Sequence, residues 1–246
     1  MSEDSQACLI IIGDEVLSGR TQDLNLAYIG RRCDELGITL AEARIIEDDE
    51  DRIVACVNEC RALYTYVFTT GGIGPTHDDI TSASIAKAFS RKLIRHPDAV
   101  EAMDDYYDTG MLTEARLKMA EVPEGASLID NPVSAAPGFQ IENVYVLPGV
   151  PMIMQAMFEI ISDTLQGGEP MLSESIASNL GESVMAQALA GLQQQYADVA
   201  IGSYPYFKKG KLGVNLVMRS RDAARLAELG RRLQSMIVDL GGEVVG

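Results

Sequence analysis

Thr69-Thr70-Gly71-Gly72-Ile73-Gly74-Pro75-Thr76-His77-Asp78-Asp79-Ile80-Thr81 follows directly on the apolar run Tyr66-Val67-Phe68. A short segment of aromatic and β-branched residues predicts a strand buried on both faces. The glycines that end it let backbone N–H groups come close to an anion. Thr81 and Ser82 are placed to cap the next helix, whose N-terminal end also favours negative charge. Two aspartates beside an anion cradle would repel the anion unless a divalent cation lies between them. Carboxylates hold Mg²⁺ or a similar hard ion, and the ion holds phosphate oxygens. The alternative is a loop in which Asp78 and Asp79 only cap the helix, although capping needs one acid and leaves the glycines unexplained. His77, inside the loop, is open to phosphate contact, to acid–base work or to plain solvent exposure.

Upstream, the same grammar repeats. Ala7-Cys8-Leu9-Ile10-Ile11-Ile12 reads as a buried strand ended by Gly13. Leu26, Ile29, Cys33 and Leu36 have the spacing of an amphipathic helix over 25–36, closed by Gly37. A strand over 38–46 and a helix over 49–62, with Ile53, Val57 and Cys60 inward, come next. Short strands alternating with helices predict an α/β fold, a parallel sheet covered on both faces. Such sheets bind ligands at the carboxyl ends of their strands. Gly13-Asp14-Glu15 belongs to that edge, either as site or as simple turn. In the acidic run Glu47–Asp51, residues 49–51 suit a solvated helix N-terminus. Asp48, at the strand end, either joins them or faces the site.

Downstream, 97–120 reads as helices. Short strands follow over 126–147, with Phe139–Ile141 and Val144–Leu147 around a turn at Glu142-Asn143, then a helix over 152–166. The rigid loops Asn131–Gly138 and Leu147–Pro151 either pack close to a flat ligand or only turn the chain. Gly167-Gly168-Glu169-Pro170 predicts a boundary between a domain of residues 1–168 and one of residues 169–246. The second shows a strand near 172–178, a helix at 182–195, strands at 198–204 and 211–219, a helix at 221–240 and a last strand at 243–245. This βαββα(β) order suits a small α+β module of split-βαβ or KH-like type, but it has no Gly-x-x-Gly loop of the nucleic-acid-binding kind. Lys208, Lys209 and Lys211 read as a solvated turn.

The charge sharpens this division. The chain has 246 residues with 36 acids, 20 bases and a net charge of −16. Residues 171–246 hold 7 acids and 8 bases, so the whole excess lies in the first domain. Such a field argues against nucleic acid or an anionic membrane surface as partner. No apolar run approaches the roughly 20 residues of a membrane span. The start, MSEDSQ, does not suit a signal peptide. Four scattered cysteines, Cys8, Cys33, Cys56 and Cys60, predict reduced, buried thiols in a cytoplasmic protein rather than a disulfide scaffold. His96, before Pro97, reads as structural.

GDEVLSGRTQDLN at 13–25, TTGGIGPTHDDIT at 69–81, NPVSAAPGF at 131–139 and VYVLPGVP at 144–151 together resemble the MoaB/Mog molybdopterin-binding fold. They are more similar still to the N-terminal region of the competence/damage-inducible CinA family. The resemblance runs over about residues 7–165, and 171–246 resembles the KH-like module that follows in CinA proteins. It implies a three-layer α/β/α domain. Mog-like relatives adenylylate molybdopterin with Mg²⁺ and ATP. CinA-like relatives are associated with divalent-metal-dependent cleavage of a pyrophosphate bond, as in ADP-ribose. By position, Asp48, Asp78 and Asp79 would hold Mg²⁺ or another divalent cation or activate water. Gly71, Gly72, Gly74 and Thr76 would cradle phosphate, with His77 and Thr81 beside them. Asp14 and Glu15 match the family's G-D-E, and Gly138, Gly149 and Pro151 match loops around a pterin or nucleotide pocket. Mog-type loops favour a basic residue where this chain has His77-Asp78, which favours a metal-rich hydrolytic site. The expectation is a metal-dependent nucleotide pyrophosphatase acting on a small phosphorylated ligand, with homo-oligomers (dimers or trimers) implied by the relatives. A molybdopterin adenylyltransferase and a non-catalytic binding module with molybdopterin or a nucleotide as ligand are the alternatives. The amidase domain that ends full-length CinA proteins has no counterpart before Gly246, so amidase activity is not expected.

Overall fold

The computed structural model describes residues 5–208 and 210–245, with only the backbone of Lys208 and Lys211. The chain forms two compact units, Met1–Gly168 and Glu169–Gly246.

The first unit begins with β1 (Gln6–Ile12), the single turn α1 (Asp14–Leu17), α2 (Asn25–Glu35), β2 (Thr39–Ile46), α3 (Glu50–Leu63) and β3 (Tyr66–Thr70). It continues with α4 (Thr81–Ala88), β4 (Leu93–Arg95), α5 (Pro97–Tyr106), α6 (Glu114–Leu117), a 3-10 turn at Lys118–Ala120 and β5 (Glu121–Pro123). It ends with β6 (Ser127–Ile129), β7 (Gly138–Ile141), β8 (Val144–Leu147) and α7 (Pro151–Ser162). The main sheet has the order β2-β1-β3-β8-β7-β6. Strands β2, β1, β3 and β8 are parallel, β7 pairs antiparallel with β8, and β6 pairs antiparallel with β7 at the edge.

Side-chain alternation along the strands makes the three layers. In β1, Ala7, Leu9 and Ile11 pack with Ile29 and Cys33 of α2 and with Met154, Met157 and Phe158 of α7. Cys8, Ile10 and Ile12 point the other way, into Ile53, Val57 and Cys60 of α3 and Ile85 of α4. The central strands β3 and β8 divide likewise: Phe68, Tyr145 and Leu147 join the first layer, and Val67, Val144 and Val146 the second. A strand covered on both sides has no polar face to spend, so β1 reads as an unbroken apolar run. All four cysteines are free and buried.

The acidic run divides as its chemistry suggests. Asp49 caps α3, its carboxylate accepting from the Arg52 N–H at 3.0 Å, and Glu50 and Asp51 occupy the first turn, where both accept from Lys87. Asp49→Ala should cost about 1 kcal/mol of stability through the lost cap, read as a lowered urea midpoint at unchanged slope. Thr81 behaves differently from expectation. Ile80 holds the N-cap position of α4 without a side-chain cap, and the Thr81 hydroxyl donates back to Gly71 O at 3.0 Å. The β4–β5 ribbon was not legible in advance, because three residues per strand are too few to display a period.

The second unit comprises β9 (Leu172–Ser178), α8 (Glu182–Gln195), β10 (Ala200–Lys208), β11 (Lys211–Ser220), α9 (Ala223–Asp239) and β12 (Val244–Val245). Its wholly antiparallel sheet runs β10-β11-β9-β12, the order of a split-βαβ module. One core, with Ile176, Leu216, Met218, Leu229 and Leu233, lies between sheet and helices. Strand β10 runs past the expected 204, since its ladder with β11 continues to Lys208 opposite Lys211. The expected lysine turn falls on Lys209 and the side chains of Lys208 and Lys211, outside the described residues. Among those described, no helix is long and apolar enough to cross a membrane.

Candidate active site at the strand ends

The carboxyl ends of β1, β2, β3 and β8 carry the polar motifs. Gly71 ends β3 with φ at +103°. Its N–H donates to Leu147 O at 3.1 Å, and Thr81 fastens both glycines, through its hydroxyl to Gly71 O and through its N–H to Gly72 O. Thr81 is fully buried and clamps the loop through these two bonds. Among the described residues, the N–H groups of Gly72, Ile73 and Gly74 meet no protein acceptor. Those three residues, with Gly71 and Pro75, line a cleft of about 520 Å³. Asn131, Ser134 and Ala136 also line it, as do Gly149, Val150 and Pro151. Free N–H groups on a turn of this kind favour an anion.

A second cleft, also of about 520 Å³, is lined by Asp14, Glu15, Arg20, Thr21, Asp48 and Asp78. Glu15 and Thr21 border both clefts. Asp48 is half-buried where the chain leaves β2. Its Oδ2 accepts from the Asp14 N–H at 3.0 Å. A Cβ on Gly72 would lie 3.5 Å from its Oδ1, so this carboxylate touches the glycine turn as well. Burial pushes the Asp48 carboxyl above its usual range. The Asp14 N–H opposes this, while the charges of Asp14, Glu15 and Asp78 add to it. Arg20 lies in the same cleft with its Nε donating to Ser18 Oγ at 3.2 Å.

Asp78 and Asp79 diverge in role. Both approach the Thr76 hydroxyl, Asp79 Oδ2 at 2.5 Å, and Asp79 also accepts from the Thr76 N–H at 2.8 Å. The Thr76 hydroxyl holds the exposed Asp78 carboxyl below its usual range, and His77 and Lys118 help. Asp78 borders the acidic cleft, whereas Asp79 borders the glycine-loop cleft. The three aspartates therefore lie around the junction of two clefts. Among the described residues, no three His, Cys, Asp or Glu side chains form a ready metal-ligand group.

Other expected positions separate in the same way. Thr76 braces the two aspartates and is not part of the cradle wall. His77 is 98% exposed, its Nδ1 3.8 Å from Asp78 Oδ1, and lines neither cleft. Gly138 is buried inside β7, where a Cβ would lie 2.4 Å from Val146 O, so its small size serves strand packing. Gly149 packs directly against Gly71, a Cβ there falling 3.4 Å from the Gly71 Cα.

Residues 8–167 match the family described as probable molybdopterin binding domain. The chain belongs to that family. Residues 170–240 of this molybdopterin-binding-domain protein match the FAD synthase middle domain, so the second unit has a relationship that strand order alone does not reveal. A CinA-like protein of Kosmotoga olearia is 33% identical over 91% of this chain and 56% of its own length. A probable FAD synthase of Caenorhabditis elegans is 28% identical over all of this chain and 52% of its own. The chain thus spans about half the length of these curated relatives. The crystal structure of CinA from Thermoplasma acidophilum, itself described as of unknown function, covers 65% of this chain and 98% of its own at 33% identity, with a TM-score of 0.62. The family and the α/β fold agree with the resemblance read from the motifs.

Two residues of this molybdopterin-binding domain escaped the motif reading. Lys118, in the 3-10 turn, donates its ammonium to Thr76 O and so ties the glycine loop to the α6 region. Nothing in the sequence marks a lysine 42 positions away as a partner. Asn25, the last residue of the 13–25 segment, is buried, and its Nδ2 donates to Gly149 O at 2.9 Å. It joins the first motif to the last. Its place at the end of the quoted segment was the available signal.

Proposed function

We propose that the first unit is a divalent-metal-dependent hydrolase of a nucleotide pyrophosphate bond, with an ADP-ribose-like substrate. The observation that carries the reading is the pair of adjoining clefts, one lined by carboxylates and the other by free loop N–H groups, sharing Glu15 and Thr21. A phosphate on the loop and a cation among the acids would then be neighbours. Mg²⁺ typically takes only one or two carboxylates plus phosphate oxygens and water. One or two of Asp14, Glu15 and Asp78, which share the acidic cleft, would hold the ion, and when bound it would neutralise charge on the phosphoryl oxygens. Relief of the mutual repulsion around Asp48 favours occupancy.

The chain's own groups supply the rest. The N–H groups of 72–74 orient one phosphate. Asp48, whose proton affinity is raised, is the group to take a proton from the attacking water. The water oxygen bonds to one phosphorus as the bridging P–O bond breaks, and with ADP-ribose the products are AMP and ribose 5-phosphate. Arg20 is placed to pair with the second phosphate. Asp79 and Thr76 keep the loop in shape.

The test is incubation of the purified chain with ADP-ribose and Mg²⁺, Mn²⁺ or Co²⁺, with AMP as readout. No AMP with any of these metals, together with tight pterin binding, would overturn the reading. It would leave the alternative favoured by the family match and by the flat Pro and Gly walls of the loop cleft, molybdopterin binding with or without adenylylation. Lys118→Met keeps the side chain's length and removes its donor to Thr76 O. A hydrogen bond from a charged group contributes about 1.5–3 kcal/mol, so KM for ADP-ribose should rise about tenfold or more with a smaller change in kcat.

A further inference from the structure

Apart from the two clefts of the strand ends, the first unit has a cavity of about 710 Å³ lined by α5 and by the 126–137 segment. Asn131 and Pro137 border both this cavity and the glycine-loop cleft. Between them the loop presents Pro132 and Ala135 to the cavity and Ser134 and Ala136 to the cleft. The loop is therefore a partition. It is a firm one: the Asn131 side chain, 8% exposed, donates to Ser134 Oγ and Ala136 O and accepts from the N–H groups of Val133 and Ser134. Ala135 is held at φ +59°, a conformation that costs a non-glycine residue energy and persists only where its surroundings impose it.

The lining chemistry selects the ligand. The volume lies within the roughly 300–1,000 Å³ of small-molecule sites. Among the described residues no lysine or arginine lines the cavity, so it supplies no cationic side chain to pair with a phosphate. Asp98 and Asp130 bring two carboxylates, which as ions only accept hydrogen bonds and so call for a ligand rich in donors. The remaining wall is mostly alanine, proline, leucine and isoleucine, with Ser127 and Asn131 among them, which suits the flat face of a base with a few polar edge groups. His96 adds an imidazole whose Nδ1 is buried without a hydrogen-bond partner, so the ring gains from turning toward a polar group. A planar base with vicinal hydroxyls and no phosphate meets all of these terms.

We propose that this cavity is a nucleoside site, separate from the phosphate-holding clefts. The base lies against the alanine and proline wall, and the ribose hydroxyls donate to Asp98 and Asp130. The assignment goes beyond pyrophosphate cleavage and does not depend on it.

The test is isothermal titration of the intact chain with adenosine as probe, without divalent metal, in the wild type, Ala102→Phe and Asp98→Asn. Ala102 is an exposed residue of α5 that lines the cavity, so a phenyl ring there fills the space without entering the core. Thermal melts of both variants confirm the fold. The expected result is one-site adenosine binding in the wild type, weakened at least tenfold in both variants, with inorganic phosphate, titrated separately with Mg²⁺ present, bound equally by all three proteins. Adenosine that does not bind at millimolar concentration, or that binds Ala102→Phe as well as wild type, overturns the assignment. Asp48→Asn keeps the two readings apart: it should remove turnover and leave adenosine binding unchanged.

Discussion

Asp48→Asn should lower the rate of AMP release from ADP-ribose by about 10³-fold, within the range attributed to a positioned general base, while leaving the fold intact. The amide keeps the shape of the carboxylate and can still accept from the Asp14 N–H through its oxygen. It loses the ability to take a proton. The same change should leave the protein as stable as the wild type or more so. Burial raises this carboxyl above its usual range in the folded state, with Asp14, Glu15 and Asp78 adding to the effect. For an acid so shifted, the penalty on folding is present in full above its folded value, and it is relieved as pH falls through that value toward the unfolded one. The substitution removes the penalty, so its stabilising effect should be seen at neutral pH and shrink on acidification. Lost activity with retained or raised melting temperature is the signature of a group kept for chemistry at some expense in stability. Retained activity would remove Asp48 from the proton-accepting role.

Gly71→Ala should destabilise the first unit by about 2–5 kcal/mol, the sum of roughly 1–2 kcal/mol for a disfavoured left-handed backbone and 1–3 kcal/mol for overpacking. The backbone at Gly71 has φ +103°, and an added Cβ would lie 2.1 Å from Ile12 O on the neighbouring strand. It cannot swing away, because its N–H is bound to Leu147 O on the other neighbour. For a unit of this size, each kcal/mol moves the melting temperature by about 2–4 °C, so a drop on the order of 10 °C is expected. Gly110→Ala supplies the control. That glycine has φ +84° with nothing within 4 Å of an added Cβ, so only the backbone cost applies, about 1–2 kcal/mol. Melting curves of the two variants decide the matter, and equal losses would mean that the contact with Ile12 O carries no weight.

Much of the first unit was legible because its strands are covered on both faces. Ala7–Ile12 and Tyr66–Thr70 sit at the centre of the sheet, where every side chain meets a helix layer, and uninterrupted apolar runs are the direct imprint of that position. Helices α2 and α3 were legible for a related reason. Each covers one face, so Ile29 and Cys33, or Ile53, Val57 and Cys60, recur at helical spacing. The β4–β5 ribbon left no such imprint, with half-buried Ile94 flanked by exposed Leu93 and Arg95. The extension of β10 to Lys208 was equally silent, because it follows from pairing with β11 rather than from local preference.

The site divides along the same line. The sequence by itself determined that a glycine-rich turn with paired aspartates follows a buried strand, that Gly13-Asp14-Glu15 and Asp48 lie at the same sheet edge, and that the acidic excess belongs to the first unit. These are consequences of period, of glycine's backbone freedom and of charge count, all local quantities. The tertiary structure alone decided the division of labour. Asp48 and Asp78 border one cleft and Asp79 the other, Thr81 and Gly138 serve packing, and Lys118 and Asn25 tie distant loops to the site. The reason is that each of these outcomes depends on which atoms a side chain meets across the sheet or from a loop tens of residues away, and no local pattern encodes such a meeting.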